Sequence, residues 1–390
     1  MVPRRPGAKL SGIVGDDNAA RVRMTIRNKL RISRPALCLA CCACALMGGG
    51  CGGIGPRTIT YDRFDYTETL SSSWKQQMLV NMVKLRYADT PVFLDVASVI
   101  NQYSIETQVD LRLTWVDPVA TMADSQSTGA AARYIDRPTI TYLPLTGERF
   151  ARSLMKPIPP PAVLSLIQAG YPIDLVLRTC VHSVNGIRNR YGGVARSRAA
   201  DPEFYAVLER LRRMQDSGAL GLRVEKTGEM EGVVLAFRGK VDAALEQDIV
   251  YVRKALGLAL DAQEFRVAYG SIAKDDKEIA ILSRSILEIL VDLGSNIEVP
   301  AEHVEQKRVA ATMPPETSPA GSEIPPLIRV HSSEHRPTDS FAAVRYRKHW
   351  YWIDDRDVRS KASFTFLMFI FSLTETQGKE GAPIVTIPAG

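Results

Sequence analysis

The sequence predicts an α+β fold, with mainly antiparallel sheets packed against interleaved helices. Two patterns carry this reading. Apolar side chains recur with helical spacing at Trp74, Met78, Leu79, Met82, Val83 and Leu85, whereas Ile105, Val109, Leu111, Leu113 and Trp115 alternate with Glu106, Asp110, Arg112 and Thr114. The first marks a helix with one buried face, the second a half-buried strand. The third observation is the order of such segments. Helices and short strands interleave without a regular βαβ rhythm, which disfavours a parallel doubly wound sheet.

Taken in order, Ser71, Ser72 and Ser73 offer N-caps for a helix over residues 73–87, stopped by Asp89-Thr90-Pro91. Strands follow over 92–100 and 105–115, then a loop over 117–133 rich in Ala, Ser, Thr and Gly. A short strand covers 139–143, and a helix from Thr146 to Met155 is broken by Pro157, Pro159, Pro160 and Pro161. Helices over 161–169 and 172–184 flank Gly170-Tyr171-Pro172, and 187–198 is polar. Asp201-Pro202 opens a helix to Met214, with the Asp as cap and the Pro in the first turn. Leu220 to Glu225 and Val233 to Arg238 read as a hairpin, 242–256 as helix, 265–269 as strand and 279–293 mainly as helix. The stretch 328–330 and the segments 343–347 and 350–353 read as strands of one sheet, 357–373 as helix and 383–388 as a last strand. The apolar run Phe364 to Leu373 suits a core helix, because a span needs about 20 residues.

Charge and cysteine usage change along the chain. Of 49 Lys/Arg and 43 Asp/Glu, residues 1–50 hold nine and two, which leaves 40 basic against 41 acidic from Cys51 onward. The overall charge of +6 therefore belongs to the leading segment. A nucleic-acid partner is excluded, since the remainder has no basic excess. Five of the six cysteines fall between Cys38 and Cys51, and only Cys180 lies further on. One thiol makes no internal disulfide and no cysteine metal framework. Leu175, Val176, Leu177 and Val181 around it mark Cys180 as a small buried hydrophobe.

The leading segment has the three parts of a secretory signal. Arg27, Lys29, Arg31 and Arg34 form a basic start; Pro35 to Met47 is apolar; Gly48, Gly49 and Gly50 precede Cys51. This resembles a bacterial lipoprotein signal, in which the cysteine after the small residues is acylated and becomes the first residue. Gly48 stands three positions before Cys51, where such signals usually carry Leu. Residues 1–23 lack any signal pattern, so translation is expected to start at Met24. The organisation read from the sequence is 1–23 mis-assigned extension, 24–50 signal peptide, 51–60 tether and 61–305 main α+β region. A Pro-rich linker or loop covers 306–326, with five prolines, and C-terminal strands and a helix packed on the main region cover 327–390.

Trp74 to Tyr87, Pro144-Leu145-Thr146-Gly147, Trp352 to Asp357 and Val385 to Pro388 resemble phrases in uncharacterised lipoproteins of Gram-negative bacteria. The resemblance spans most of 51–390. It implies a lipid-anchored envelope protein and brings no activity or site residues. Gly52 after the cysteine, rather than Asp, implies the outer membrane, with the folded part facing the periplasm.

Several short motifs carry possible chemistry. Ser72-x-x-Lys75, Ser183-x-Asn185 and Lys226-Thr227-Gly228 resemble, in that order, the motifs of penicillin-recognising serine enzymes. The spacing is irregular, and Lys226 falls in a hairpin turn. His331-x-x-Glu334-His335 matches an inverted zinc-protease motif, which needs a helix to bring both imidazoles to one face. Pro325, Pro326 and Pro337 argue for a strand-end loop instead. The other three histidines, His182, His303 and His349, make no ligand spacing. Asp354, Asp355 and Asp357 around Arg356 read as a helix cap. Trp350, Tyr351 and Trp352 could offer a sugar or a partner an aromatic face. The sequence thus leans away from an enzyme. It implies no cofactor, and its partners are a membrane, through Cys51, and an envelope protein or glycan.

Overall fold

The structure, a computed structural model, describes residues 55–100, 103–113, 126–136, 139–145, 148–193, 197–227, 230–237, 241–318, 321–375 and 385–388. Contacts divide the chain into Met1–Ile59 and Thr60–Gly390. The signal segment and Cys51 lie outside the described residues.

The fold is α+β. Helix α1 (Gly55–Arg86) leads into β1 (Phe93–Ile100), β2 (Tyr103–Leu113), β3 (Gln126–Asp136) and β4 (Thr139–Leu145). Then come α2 (Glu148–Met155), α3 (Pro160–Gln168), α4 (Ile173–Cys180), β5 (Val181–Val184), β6 (Ile187–Arg188) and α5 (Pro202–Asp216). The hairpin β7 (Leu220–Thr227) and β8 (Met230–Phe237) precedes α6 (Ala243–Ala255), β9 (Glu264–Tyr269), β10 (Glu278–Ser283), α7 (Ile286–Gly294) and α8 (Ala301–Glu305). The short β11 (Glu316–Thr317) and β12 (Glu323–Ile324) are followed by β13 (His331–Ser333), β14 (Ser340–Tyr346), β15 (His349–Asp354), α9 (Val358–Glu375) and β16 (Val385–Pro388).

The largest sheet has the order β6-β5-β10-β9-β8-β7, antiparallel except for the β9/β10 pair. Helix α3 lies against β8 and β9. Strands β13-β15-β14 form a second sheet, and β1-β4-β16 a third. In β15, Tyr351 and Ile353 are fully buried while Trp350 and Trp352 are half-buried, the two faces of a pleated strand.

Several elements depart from the sequence reading. The helix expected over 172–184 stops at Cys180 and continues as strand β5, and the strand expected over 328–330 begins instead at His331. Helix α1 starts at Gly55 rather than near residue 73, because no glycine or proline interrupts 57–86. It therefore takes in part of the segment expected to be a tether. The expected loop over 117–133 contains most of β3, which pairs with β2 from Tyr103↔Asp136 to Leu113↔Gln126. A full ladder outweighs the poor strand propensity of its Ala and Gly residues. The expected helix over 279–293 is a strand and then a helix. Ile279, Ala280 and Ile281 are buried between two neighbouring strands, and Ser285 and Glu288 form a capping box that starts α7 two residues after β10. Finally, Asp201 stands at the N-cap of α5 without capping it. Its carboxylate accepts from the Arg188 backbone at 2.8 Å and from its guanidinium at 3.3 Å.

One hydrophobic core runs from Met78 of α1 to Phe371 of α9. The Phe93 and Phe371 rings lie 4.7 Å apart, and those of Tyr171 and Phe366 4.9 Å apart. Residues 327–375 therefore share the core of the preceding region. The apolar run of α9 buries Phe364, Phe366, Leu367, Ile370 and Phe371. Among the described residues no helix is long and apolar enough to cross a membrane.

A buried ionic hub fixes the end of the main sheet. Asp292 of α7 accepts from the Gly192 N–H at 2.6 Å and from Arg284 at 3.0 Å, with the Arg190 Nε at 3.7 Å. Arg284 is fully buried and also donates to the carbonyls of Arg178 and Arg190. Gly192 is required by the close approach, since a Cβ there would meet the Ser295 Oγ at 2.0 Å.

Two predictions follow from this packing. Asp292→Ala leaves two guanidinium groups without their carboxylate and costs about 3–5 kcal/mol in chemical denaturation; a loss below about 1 kcal/mol would contradict the hub. Burial pushes the Cys180 thiol up to about 12. A thiol reagent therefore leaves Cys180 unmodified in the native protein and reaches it only after unfolding in guanidinium, as peptide mass spectrometry would show.

Candidate functional site

The penicillin-enzyme motifs are dispersed. Ser72 and Lys75 line an open cleft of about 770 Å³ with Arg336, Asp339, Phe341 and Asp355. The Lys75 ammonium sits 4.6 Å from the centre of the Phe341 ring. Ser183 is buried in β5, and Lys226 belongs to β7, beyond β10, β9 and β8 in the same sheet. Four strand spacings come to about 19 Å, too far for both motifs to serve one hydroxyl. Gly228 lies outside the described residues.

The inverted zinc-protease motif falls on a strand and a turn. His331 opens β13, its Nδ1 3.1 Å from both Glu298 carboxylate oxygens and its ring 4.8 Å from that of Trp352. His335 lies beyond the strand, its carbonyl accepting from the Ser333 hydroxyl at 2.8 Å. The acidic run is satisfied locally: Asp354 pairs with Arg356 at 3.1 Å, Asp355 with Lys361 at 2.9 Å, and Asp357 accepts from the Ser360 N–H at 3.0 Å. Trp350 and Trp352 share the less buried face of β15, and the Arg336 guanidinium lies 5.5 Å from the Trp350 ring centre.

The structure instead assembles a constellation that no sequence spacing announces. Tyr87 ends α1, Glu302 and His303 sit in α8, and His349 and Tyr351 alternate on β15. The Tyr87 hydroxyl lies 2.6 Å from the His303 Nδ1 and 2.7 Å from the Tyr351 hydroxyl. The His303 Nε2 faces the Glu302 Oε1 at 3.4 Å, and the His349 Nε2 approaches the same oxygen at 3.9 Å. The His349 Nδ1 is 3.4 Å from the Arg347 carbonyl. Ring centroids of His303 and His349 are 5.0 Å apart. His303 is buried, His349 half-buried and Glu302 exposed, so the cluster opens to solvent on the carboxylate side.

Electrostatics follow from this placement. Burial lowers the His303 pKa, and the neighbouring His349 acts in the same direction, so the imidazole is favoured neutral. Burial raises both Tyr87 and Tyr351, which keeps both phenols protonated. Arg347 lies 5.0 Å from the Tyr87 ring centre and donates to the Tyr346 hydroxyl at 3.2 Å. Tyr346 in turn donates to Asp89 at 2.7 Å.

The backbone around the cluster is unusual. Among the described residues five non-glycine positions have positive φ, and four of them, Ala88, Lys307, Arg347 and Lys348, fall within four residues of these side chains in the sequence. Ala88 and Lys307 end α1 and α8 in Schellman geometry, with Asp89 N–H bonded to the Lys84 carbonyl and Arg308 N–H to the His303 carbonyl. Arg347 and Lys348, at φ 46° and 73°, form the two-residue turn between β14 and β15. Such a turn favours Asn-Gly, because two L-residues are strained there. All four positions thus belong to helix ends or to the hairpin turn.

No family model, curated protein or solved structure matches the chain.

The turn is testable directly. Lys348→Gly relieves left-handed strain of about 1–2 kcal/mol and adds about 0.5–1 kcal/mol of chain entropy to lose. Thermal or chemical denaturation is expected to show a net gain of about 0.5 kcal/mol; a clear loss would mean that the Lys348 side chain itself supports the hairpin.

Proposed function

We propose that this chain is a lipid-anchored protein of the cell envelope, held through Cys51 and facing the periplasm from the outer membrane. Its role is to bind or support another envelope component, a protein or a glycan, rather than to catalyse a reaction. The observation that carries the reading is the order of residues 24–51: basic, apolar, small, then cysteine. Two further facts support it. From Cys51 onward the charges nearly balance, which suits no polyanion. The serine-enzyme motifs lie on separate elements. An acyl-glyceryl anchor with several chains holds a protein firmly, since two lipid signals suffice.

The test follows radiolabelled palmitate into wild type and Cys51→Ala, with membrane fractionation of both. Label and membrane retention are expected in wild type and lost in the variant. Equal behaviour of the two would overturn the anchor. A fluorescent penicillin is expected to leave the protein unlabelled; labelling that disappears in Ser72→Ala would replace the binding role with a serine-enzyme one.

A further inference from the structure

We infer that Glu302, His303 and His349 form a binding site for a borderline divalent transition-metal ion of the zinc class, with Tyr87 and Tyr351 as its supporting shell. The first argument is convergence. Two imidazole Nε2 atoms face one carboxylate oxygen, at 3.4 and 3.9 Å, and all three ligand atoms lie within 4.8 Å of one another. A tetrahedral ion with bonds near 2.1 Å sets its ligand atoms about 3.4 Å apart. The Glu302 pair to His303 already has that separation. The remaining distances close by rotation of Glu302, which is exposed, and His349, which is half-buried.

The second argument is the other edge of each ring. A metal-bound histidine donates its second N–H to an oxygen, which fixes the tautomer and the ring plane. Both histidines meet this requirement. The His303 Nδ1 has the Tyr87 hydroxyl at 2.6 Å, and the His349 Nδ1 has the Arg347 carbonyl at 3.4 Å. With the His303 Nδ1–H donating to Tyr87, the Tyr87 O–H donates onward to Tyr351 at 2.7 Å. Each Nε2 is then the unprotonated ring nitrogen, able to bind a cation. An ordinary His–Glu contact needs neither second-ring partner nor a second histidine.

The donor set selects the ion. Two imidazoles and one carboxylate suit zinc, copper or nickel, whereas magnesium and calcium prefer all-oxygen cages. Three protein ligands on an open edge leave a fourth position for water or a partner's side chain. Arg347 and Arg308 lie near enough to repel a cation, but Arg347 is turned onto the Tyr87 and Tyr346 rings. His331 and His335 are not among the side chains that converge here.

The inference is independent of the anchor, so the palmitate and metal results fail or succeed separately. The experiment titrates Zn2+ into the chelator-treated mature protein, from residue 51 onward with Cys51 replaced by Ala so that no leader cysteine competes, by calorimetry, with bound zinc counted by mass spectrometry after desalting. One zinc per chain is expected. Glu302→Gln and His349→Gln, both at solvent-reachable positions, are expected to weaken binding about 100-fold or more, and Tyr87→Phe about 10- to 100-fold. His331→Ala and His335→Ala should leave it unchanged. Circular dichroism confirms that each variant is folded, and the outcome does not depend on the buried His303. Zinc retained at full affinity in Glu302→Gln and His349→Gln, or no binding tighter than millimolar in wild type, would overturn the site.

Discussion

A single carboxylate, Asp292, faces two buried guanidinium groups, and most of the main sheet's geometry depends on that arrangement. Arg284 ends β10 with no solvent exposure, so its charge has to be met inside the protein. Asp292 supplies the counter-charge from the following helix, and the Gly192 N–H and the Arg190 carbonyl complete the bonding. The partners come from two stretches of chain, 190–192 and 284–292. The hub therefore sets the angle at which α7 leaves the sheet. Since α7 leads directly into α8, it also sets where His303 is delivered.

From there the candidate site is built by termini rather than by element centres. Tyr87 is the residue that caps α1, His303 lies in a five-residue helix, and His349 is the first residue of β15. End positions are adjustable in register and direction, and they can bring together side chains that no local pattern relates. The cost is backbone strain, visible as positive φ at Ala88, Lys307, Arg347 and Lys348. Backbone bonds hold the helix ends, and the β14/β15 pairing holds the turn.

This explains what the sequence could and could not reveal. The α+β class was legible because Met78, Leu79, Met82 and Val83 repeat at helical spacing and because Tyr351 and Ile353 alternate with Trp350 and Trp352. Local patterns report burial, and these residues are buried as their spacing implies. Splitting 279–293 into β10 and α7 needed knowledge of the two strands that flank β10. The long β2/β3 ladder needed the pairing itself. The histidine cluster was invisible for a stronger reason: 216 positions separate Tyr87 from His303 and 264 separate it from Tyr351. The motifs that were visible, at Ser72, Lys75, Lys226, His331 and His335, are matches of spelling on elements that the fold keeps in ordinary roles. The one available signal was indirect: Arg347-Lys348 stands where a hairpin turn favours Asn-Gly.

The reach of these contacts has a consequence for biogenesis. Arg86 bonds the Ala310 carbonyl at 2.6 Å, Phe93 packs on Phe371, and Tyr87 meets Tyr351. Contacts of such separation are slow to form, because the intervening chain must be closed first. During synthesis α1 therefore emerges long before Ala310 and Tyr351, which bond its C-terminal end. Until the C-terminal part of the core is made, Met78, Leu79, Met82 and Val83 belong to an incomplete core. A ribosome-stalled or prematurely ended chain would present this apolar stripe to chaperones and proteases, and quality control would act on it as a unit.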